Sequence, residues 1–124
     1  MHQISDDRVD AWFHALSDRT RRDILRRVLV TEQSVSSLAR NYSMSLTAVQ
    51  KHVGVLERAG LITRRRTGRE TLTRGDAGTV RSAAQLLTEL EAVWRERIAR
   101  IARIDDLLDA EADPAPTPPS HPKD

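Results

Sequence analysis

Between Ser45 and Gly60 lies a stretch of side chains suited to recognising hydrogen-bonding partners. Ser45 is a favourable helix N-cap because its hydroxyl can accept a bond from an unpaired backbone N–H, and Gly60 suits the left-handed position just past a helix end. The intervening helix is predicted to bury one apolar face, formed by Val49, Val53 and Leu56. The opposite face carries small, amide-bearing and cationic side chains, namely Leu46, Thr47, Gln50, Lys51 and Gly54. Such an exposed face fits the major groove of DNA, where amides and cations hydrogen-bond to base edges.

Arginines dominate the segment that follows. Six of them are opposed only by Glu57 and Glu70, and they are Arg58, Arg64, Arg65, Arg66, Arg69 and Arg74. β-Branched residues on either side of Thr67-Gly68-Arg69 predict a hairpin with this tripeptide as its turn. Arginines on a projecting hairpin can neutralise phosphates and enter a narrow minor groove. The alternative is a solvated edge whose charge discourages strand pairing between molecules. Directly after the helix described above, DNA contact is the better interpretation.

The segment before Ser45, SVSSLARNYSM, predicts a short helix and a tight turn, with Val35, Leu38 and Ala39 directed inward. Two short helices, a turn between them and a basic hairpin predict a winged helix-turn-helix fold. His52 lies at the border of the apolar helix face, where contact with a phosphate and a role in covering the domain surface fit equally well. The residues expected to contact DNA are Ser45, Leu46, Thr47, Gln50, Lys51, His52, Arg64, Arg66 and Arg69.

Two amphipathic helices are predicted upstream. The first, over residues 9–16, carries Trp12, Phe13 and Leu16 on its apolar side, and residues 1–8 are expected to form a flexible N-terminus. The second, over residues 19–30, follows a cap at Ser17-Asp18. Its apolar side holds Ile24, Leu25, Val28 and Leu29. Its basic residues either approach the DNA backbone or form a solvated surface, and they are Arg21, Arg22, Arg26 and Arg27.

The final predicted helix is too long for a small domain to cover. No proline, and no glycine beyond Gly78, interrupts residues 77–109, whereas a mean helix has roughly 11 or 12 residues. An apolar stripe runs along it through Leu87, Leu90, Trp94, Ile98, Ile101, Ile104 and Leu108. The simplest partner is the same helix in a second copy, assisted by the first helix. The expected homodimer interface comprises Trp12, Phe13, Leu87, Leu90, Trp94, Ile98 and Ile101. The alternative is a helix that folds back onto its own domain.

These elements predict a mainly α fold with a small β-hairpin, in one domain over residues 9–109 of the 124. The absence of cysteine excludes disulfides, thiolate catalysis and cysteine-based zinc sites. No signal peptide or membrane segment is recognisable, so a cytoplasmic location without membrane contact is expected. Residues 110–124 contain all five prolines and are expected to form a disordered tail. A ligand for a proline-binding domain is the weaker alternative for that tail.

Two motifs, ALSDRTRRDIL from residue 15 and SLTAVQKHVGVLERAGLI from residue 45, carry a family resemblance. They resemble the LxDPTRRxIL and SxxAVSKHLxxLxxAGLV motifs of the ArsR/SmtB-type winged-helix transcriptional repressors of bacteria. Arg19 stands where proline is usual, and Gln50 replaces a common serine. The resemblance extends roughly over residues 9–108. It implies a dimer held by its first and last helices, with two recognition helices facing a pseudo-palindromic operator.

The family's metal ligands are missing from the matching positions. Metal-sensing members carry two cysteines in a CVCDL segment, where this chain has Ser34 and Ser36. Other members bind zinc between their last helices through histidines and carboxylates, but no histidine lies between His52 and His121. The resemblance therefore implies a subgroup without the usual metal sites, similar to repressors that act on their own operons. No metal and no cofactor is expected.

The sequence thus predicts a dimeric transcriptional repressor that binds double-stranded DNA. An enzyme is disfavoured because the four histidines are scattered and no catalytic triad or phosphate loop emerges. A winged helix used for protein contacts has no need for Gln50 and Lys51 beside six arginines. A ligand- or metal-responsive repressor of the same fold is a third alternative. The missing ligands count against a metal, whereas a small-molecule effector that binds at the dimer interface is left open.

Overall fold

The computed structural model describes residues 4–111, which form five helices and three strands. The helices are α1 (Asp6–Leu16), α2 (Arg19–Val30), α3 (Val35–Ala39), α4 (Leu46–Arg58) and α5 (Ala77–Glu111). The strands are β1 (Gln33–Ser34), β2 (Ile62–Thr67) and β3 (Glu70–Gly75), in an antiparallel sheet of order β1-β3-β2. This architecture confirms the predicted winged helix-turn-helix, mainly helical with a small sheet and a long C-terminal helix.

The described residues form two compact units, one ending at Gln85 and one beginning at Leu86, where the sequence predicted a single domain over 9–109. The first unit has a continuous apolar core to which α1 to α4, β2 and the start of α5 all contribute. The fully buried large side chains of this core include Trp12, Ile24, Leu38, Leu56, Leu61 and Ile62.

Trp12 corrects one expectation drawn from the sequence. Predicted at the dimer interface, its side chain is only 1% exposed and belongs to the core of the first unit. Helix α1 packs the face that carries Trp12 against the other helices, so the indole is buried within its own chain. Its neighbour Phe13 packs against the core but stays partly exposed.

Helix ends follow local hydrogen-bonding rules. The hydroxyl of Ser45 accepts from the backbone N–H of Ala48, and Gly60 has φ +80°, as the sequence predicted. At α1 the helix begins at Asp6, three residues before the predicted start, so residues 6–8 do not belong to a flexible N-terminus. The hydroxyl of Ser5 caps that end by accepting from the backbone N–H of Arg8. Two aspartates in the first turn also favour the positive end of the helix dipole.

A third strand, which the sequence did not reveal, pairs with the middle of β3 in the basic hairpin. Gln33 and Ser34 of β1 pair with Thr73 and Leu72 of β3, and the buried hydroxyl of Thr73 donates to the carbonyl of Gln33 at 2.7 Å. Beyond these residues the hairpin is two-stranded up to its Gly68-Arg69 turn. Two residues are too short a run to predict from periodicity.

A polar cluster ties α2 to the turn of the helix-turn-helix. The hydroxyl of Tyr42 donates to Oδ2 of Asp23 at 2.6 Å, and Nε of Arg27 donates to the same oxygen at 2.9 Å. The Arg27 guanidinium also lies 5.9 Å from the centroid of the Tyr42 ring. The bond from Tyr42 and then that from Arg27 lower the pKa of Asp23, whereas burial and the Asp23 carboxylate raise the pKa of Tyr42 to about 12. At neutral pH the phenol therefore keeps its proton and can donate it.

We expect Tyr42→Phe to lower the free energy of unfolding at pH 7 by about 1 to 2 kcal/mol, because a bond to a charged acceptor is lost from a partly buried site. Asp23 has a lowered folded pKa, so its contribution is complete above the unfolded pKa near ~4 and is lost as pH falls through the folded value. The difference between wild type and variant should therefore shrink as pH falls below about 4 in urea unfolding curves. An Asp23→Asn background should reduce the cost of Tyr42→Phe. A cost that is the same at every pH and in both backgrounds would contradict this account.

The second unit is the distal part of α5. Every described side chain from Leu87 to Ala110 is exposed, including those of the predicted apolar stripe, such as Trp94 at 56% and Ile98 at 45%. Ala110 and Glu111 still belong to α5, although the predicted tail began at 110. The rest of that tail, residues 112–124, lies outside the described residues.

Candidate nucleic-acid interface

The outer face of α4 is as open as its sequence predicted. Thr47, Gln50 and Lys51 are exposed, and Leu46 is 45% exposed, while Val49 and Val53 are fully buried on the opposite side. Thr47, Gln50 and Lys51 line a groove of about 590 Å³, here called the recognition groove, together with Gly54, Val55, Arg58 and Arg64. Helix α4 thus presents polar groups to solvent because its apolar face is taken up by the core.

Gly54 departs from the expected exposed face. It is buried, and a Cβ at this position would lie 3.3 Å from Nη1 of Arg58. The Arg58 side chain, one turn further on, therefore covers the glycine. Gly54 forms part of the floor of the recognition groove and contributes no side chain to it.

A second cavity lies between α4 and the hairpin. This wing cleft, of about 190 Å³, is lined by Ser34, Val35, Ser36, Leu46, Gln50, Arg64, Arg69, Glu70 and Thr71. Gln50 and Arg64 line both the cleft and the recognition groove, so the two cavities adjoin along these side chains. Hydrogen-bond donors outnumber acids in the cleft lining, since Glu70 is its one acidic residue.

The wing arginines fall into two classes that the sequence did not separate. Arg64 donates from Nε and Nη2 to Oε1 of Glu57, at 2.9 and 2.6 Å, and Arg65 donates to both carboxylate oxygens of Glu32, at 2.9 and 3.0 Å. The bond from Arg65 lowers the pKa of Glu32. Across residues 4–111, the guanidinium groups of Arg66 and Arg69 make no hydrogen bond or ion pair. Arg66 and Arg69 are thus wing cations without an internal counter-ion.

His52, for which the sequence left open contact with a phosphate or a role in covering the domain surface, contacts residues at the start of α2. Its side chain is 22% exposed, and Nδ1 lies 3.2 Å from Nη1 of Arg21 and 3.8 Å from Oδ2 of Asp18. Because a guanidinium has only donors, Nδ1 acts as the acceptor in the contact with Arg21. Arg21 also donates to the carbonyls of Ala15 and His14 at the end of α1, at 2.8 and 3.1 Å. It therefore connects α1, α2 and α4.

This role of Arg21 was missed because the sequence offered only DNA contact or solvent as alternatives for the arginines of α2. Arg22 likewise donates to the carbonyl of Leu16 at 2.8 Å. The available signal was the short Ser17-Asp18 link, which brings the first turn of α2 beside the last carbonyls of α1. Arg26 and Arg27 pair with Asp23.

His52→Ala should lower the free energy of unfolding by about 1 kcal/mol, because Arg21 loses one acceptor while its other contacts remain. The matched control is Lys51→Ala at the adjacent exposed position, which should stay within about 0.5 kcal/mol of wild type. Urea unfolding at pH 7 measures both. Equal stability of the two variants would show that the His52 contact contributes nothing to folding.

Within residues 4–111, no group of three or more His, Cys, Asp and Glu side chains is arranged to hold a metal ion. Among the same residues, no helix combines the length and apolar character needed to span a bilayer.

Comparisons with known proteins agree with this geometry. Residues 16–65 match a family model described as a helix-turn-helix domain. An HTH-type transcriptional regulator of Mycobacterium tuberculosis is 35% identical over 103 residues, which cover 83% of this chain and 90% of that protein. An ArsR-like transcriptional regulator from Rhodococcus sp. RHA1 has a similar structure, with TM-score 0.71 and 35% identity over 79% of this chain and 92% of the other. A homodimeric winged helix-turn-helix DNA-binding domain from Mycobacterium bovis aligns with TM-score 0.58 and 26% identity, covering 73% and 91% of the two chains.

Proposed function

Since the chain belongs to the ArsR-type winged helix-turn-helix family of DNA-binding transcriptional regulators, we propose that it acts as a homodimeric repressor. Each protomer contacts one half-site of an inverted-repeat operator. Helix α4 contacts base edges in the major groove, and the hairpin β2–β3 supplies affinity for the backbone. The protein works in the cytoplasm, where it has access to its operator.

The observation that carries this proposal is the separation of two kinds of exposed side chain. Thr47, Gln50 and Lys51 project from a helix whose other face is fixed in the core. Amide and ammonium groups of this kind hydrogen-bond to adenine and guanine edges. Arg66 and Arg69 project from the hairpin without internal counter-ions. Guanidinium groups so placed bind phosphates of any sequence.

The dimer is proposed from the second unit. Its stripe is exposed throughout, with Leu87 at 53%, Leu90 at 58% and Ile101 at 46%. Burying apolar surface favours association by about 25 cal/mol per Å². Additional support is that the Mycobacterium bovis domain with the same fold is homodimeric. The proposed interface is Phe13, Leu87, Leu90, Trp94, Ile98 and Ile101.

Selection of bound sequences from randomised duplex DNA with the purified protein tests the proposed function. We expect recovery of an inverted repeat whose half-sites lie about one helical turn apart, roughly 34 to 36 Å. Recovery of a single half-site would contradict the dimeric operator, and no enrichment at all would contradict sequence-specific binding. Placing the selected operator before a reporter gene then distinguishes repression from activation.

Gln50→Ala should lower discrimination at one base pair of the selected operator by roughly 1 to 3 kcal/mol, as loss of an amide contact to a base typically does. Arg69→Ala is the matched contrast, because it should weaken operator and random duplex alike and reduce the salt dependence of binding. Titrations of both variants against operator and single-base-pair substitutions measure these effects. Equal losses on operator and random DNA for Gln50→Ala would contradict base contact by this residue.

The double variant Leu90→Asp, Trp94→Asp should be monomeric and bind the inverted repeat far more weakly, because each monomer keeps half of the contacts. The control is Ala92→Asp, Ala99→Asp, which adds the same charge to the opposite face of α5 and should remain dimeric. Sedimentation equilibrium and circular dichroism report association and helix content. A wild-type protein that stays monomeric at tens of micromolar, with full operator affinity, would refute the dimer.

A further inference from the structure

Arg64 occupies a position that belongs to both DNA-facing cavities. It lines the wing cleft on one side and the recognition groove on the other. Its guanidinium is held by a single oxygen, Oε1 of Glu57, in the last turn of α4. The carboxylate of Glu57 thus neutralises, in the free protein, the arginine that stands between the two cavities.

The lining of the wing cleft carries two guanidinium groups, those of Arg64 and Arg69, against one carboxylate, that of Glu70. Arg69 contributes a guanidinium without an internal counter-ion, and Gln50, Ser36 and Thr71 contribute groups able to donate hydrogen bonds. A guanidinium binds carboxylate and phosphate oxygens in the same geometry, so the two anions compete for the same N–H groups. When α4 lies in a major groove and the hairpin in the neighbouring minor groove, the DNA backbone strand between those grooves must pass between the two elements.

We propose that the wing cleft binds a backbone phosphate of that strand. In the free protein the Glu57 carboxylate pairs with the Arg64 guanidinium, and in the complex the phosphate replaces that carboxylate. This inference rests on the proposed function. On the operator, Arg64 leaves Glu57 and binds the phosphate together with Arg69. On other duplexes, which do not seat α4 fully, Arg64 stays on Glu57 and contributes no phosphate contact. Glu57 is therefore a specificity-determining residue that itself touches no DNA.

Replacing the Glu57 carboxylate by a phosphate costs little free energy because the ion pair of Arg64 and Glu57 is partly solvated. The side chains of Arg64 and Glu57 are 30% and 39% exposed, and ion pairs at such positions contribute little net stability. A phosphate within reach can therefore displace the carboxylate without unfolding either element.

Arg65 and Glu32 provide a matched control pair in the same chain. Arg65 is the next residue on β2, so its side chain points to the opposite face of the sheet. Its bond to Glu32 resembles that of Arg64 to Glu57 in length, yet neither residue lines the cleft or the groove. Glu32→Gln therefore removes the same charge and releases an arginine that does not face the proposed phosphate.

The test is a double-mutant cycle of Glu57→Gln and Arg64→Gln in the full-length protein. Binding to a random-sequence duplex and to the selected operator is titrated at several salt concentrations. On random duplex, Glu57→Gln should strengthen binding severalfold and steepen the salt dependence by about one phosphate contact, a change of roughly 0.9 in slope. This gain should disappear in the Arg64→Gln background. On the operator, Glu57→Gln should change the slope little, whereas Arg64→Gln should reduce it by roughly 0.9.

Each outcome separates the proposal from a simple charge effect. A gain from Glu57→Gln that persists without Arg64, or an equal slope change from Glu32→Gln, would overturn the inference alone. Absence of duplex binding by the wild-type protein would overturn the proposed function and this inference with it. Thermal unfolding of each variant, read by circular dichroism, verifies that the four proteins of the cycle are equally folded.

Discussion

The packing of one face of α4 into the core is the constraint on which the remaining structure depends. Val49, Val53 and Leu56 are fully buried, and this burial fixes the rotation of the helix about its own axis. Thr47, Gln50 and Lys51 must then face solvent, since residues on the opposite side of a helix cannot share its buried face. The apolar pattern therefore decides which polar groups are available to a partner, even though it makes no contact with one.

Polar contacts set the position of α4 relative to its neighbours, which hydrophobic packing alone does not specify. Arg21 reaches the end of α1 and His52 of α4, and Tyr42 joins the turn before α4 to Asp23 of α2. These directional bonds lie between elements. The same residue types therefore serve two purposes in the chain: some arginines hold the scaffold together, whereas others remain available on the wing.

The sequence predicted the elements well and the partners of charged side chains poorly. Helix α4, its Ser45 cap and the turn at Gly68 follow from period, capping and backbone preference, which are local properties. The pairing of Arg64 with Glu57, by contrast, depends on where β2 returns beside α4, and such tertiary proximity leaves no periodic trace. Trp12 was misplaced for a related reason. Hydrophobicity indicates that a side chain will be buried, but it does not distinguish the protein's own core from an interface. Strand β1 was not predicted because two residues are too few to show the alternation of a strand.

The third strand pairs only with the middle of the hairpin, and this limits the stability of the hairpin tip. Only Thr73 and Leu72 of β3 are paired on both sides, so from Arg66 to Glu70 the wing is a two-stranded ribbon. A ribbon of this kind is marginally stable by itself in water. Local opening should therefore cost least at the tip and most at the base, and amide hydrogen exchange along β2 and β3 would follow that gradient. In the proposed complex, contacts of DNA with the tip arginines would stabilise the part of the ribbon that has no third strand.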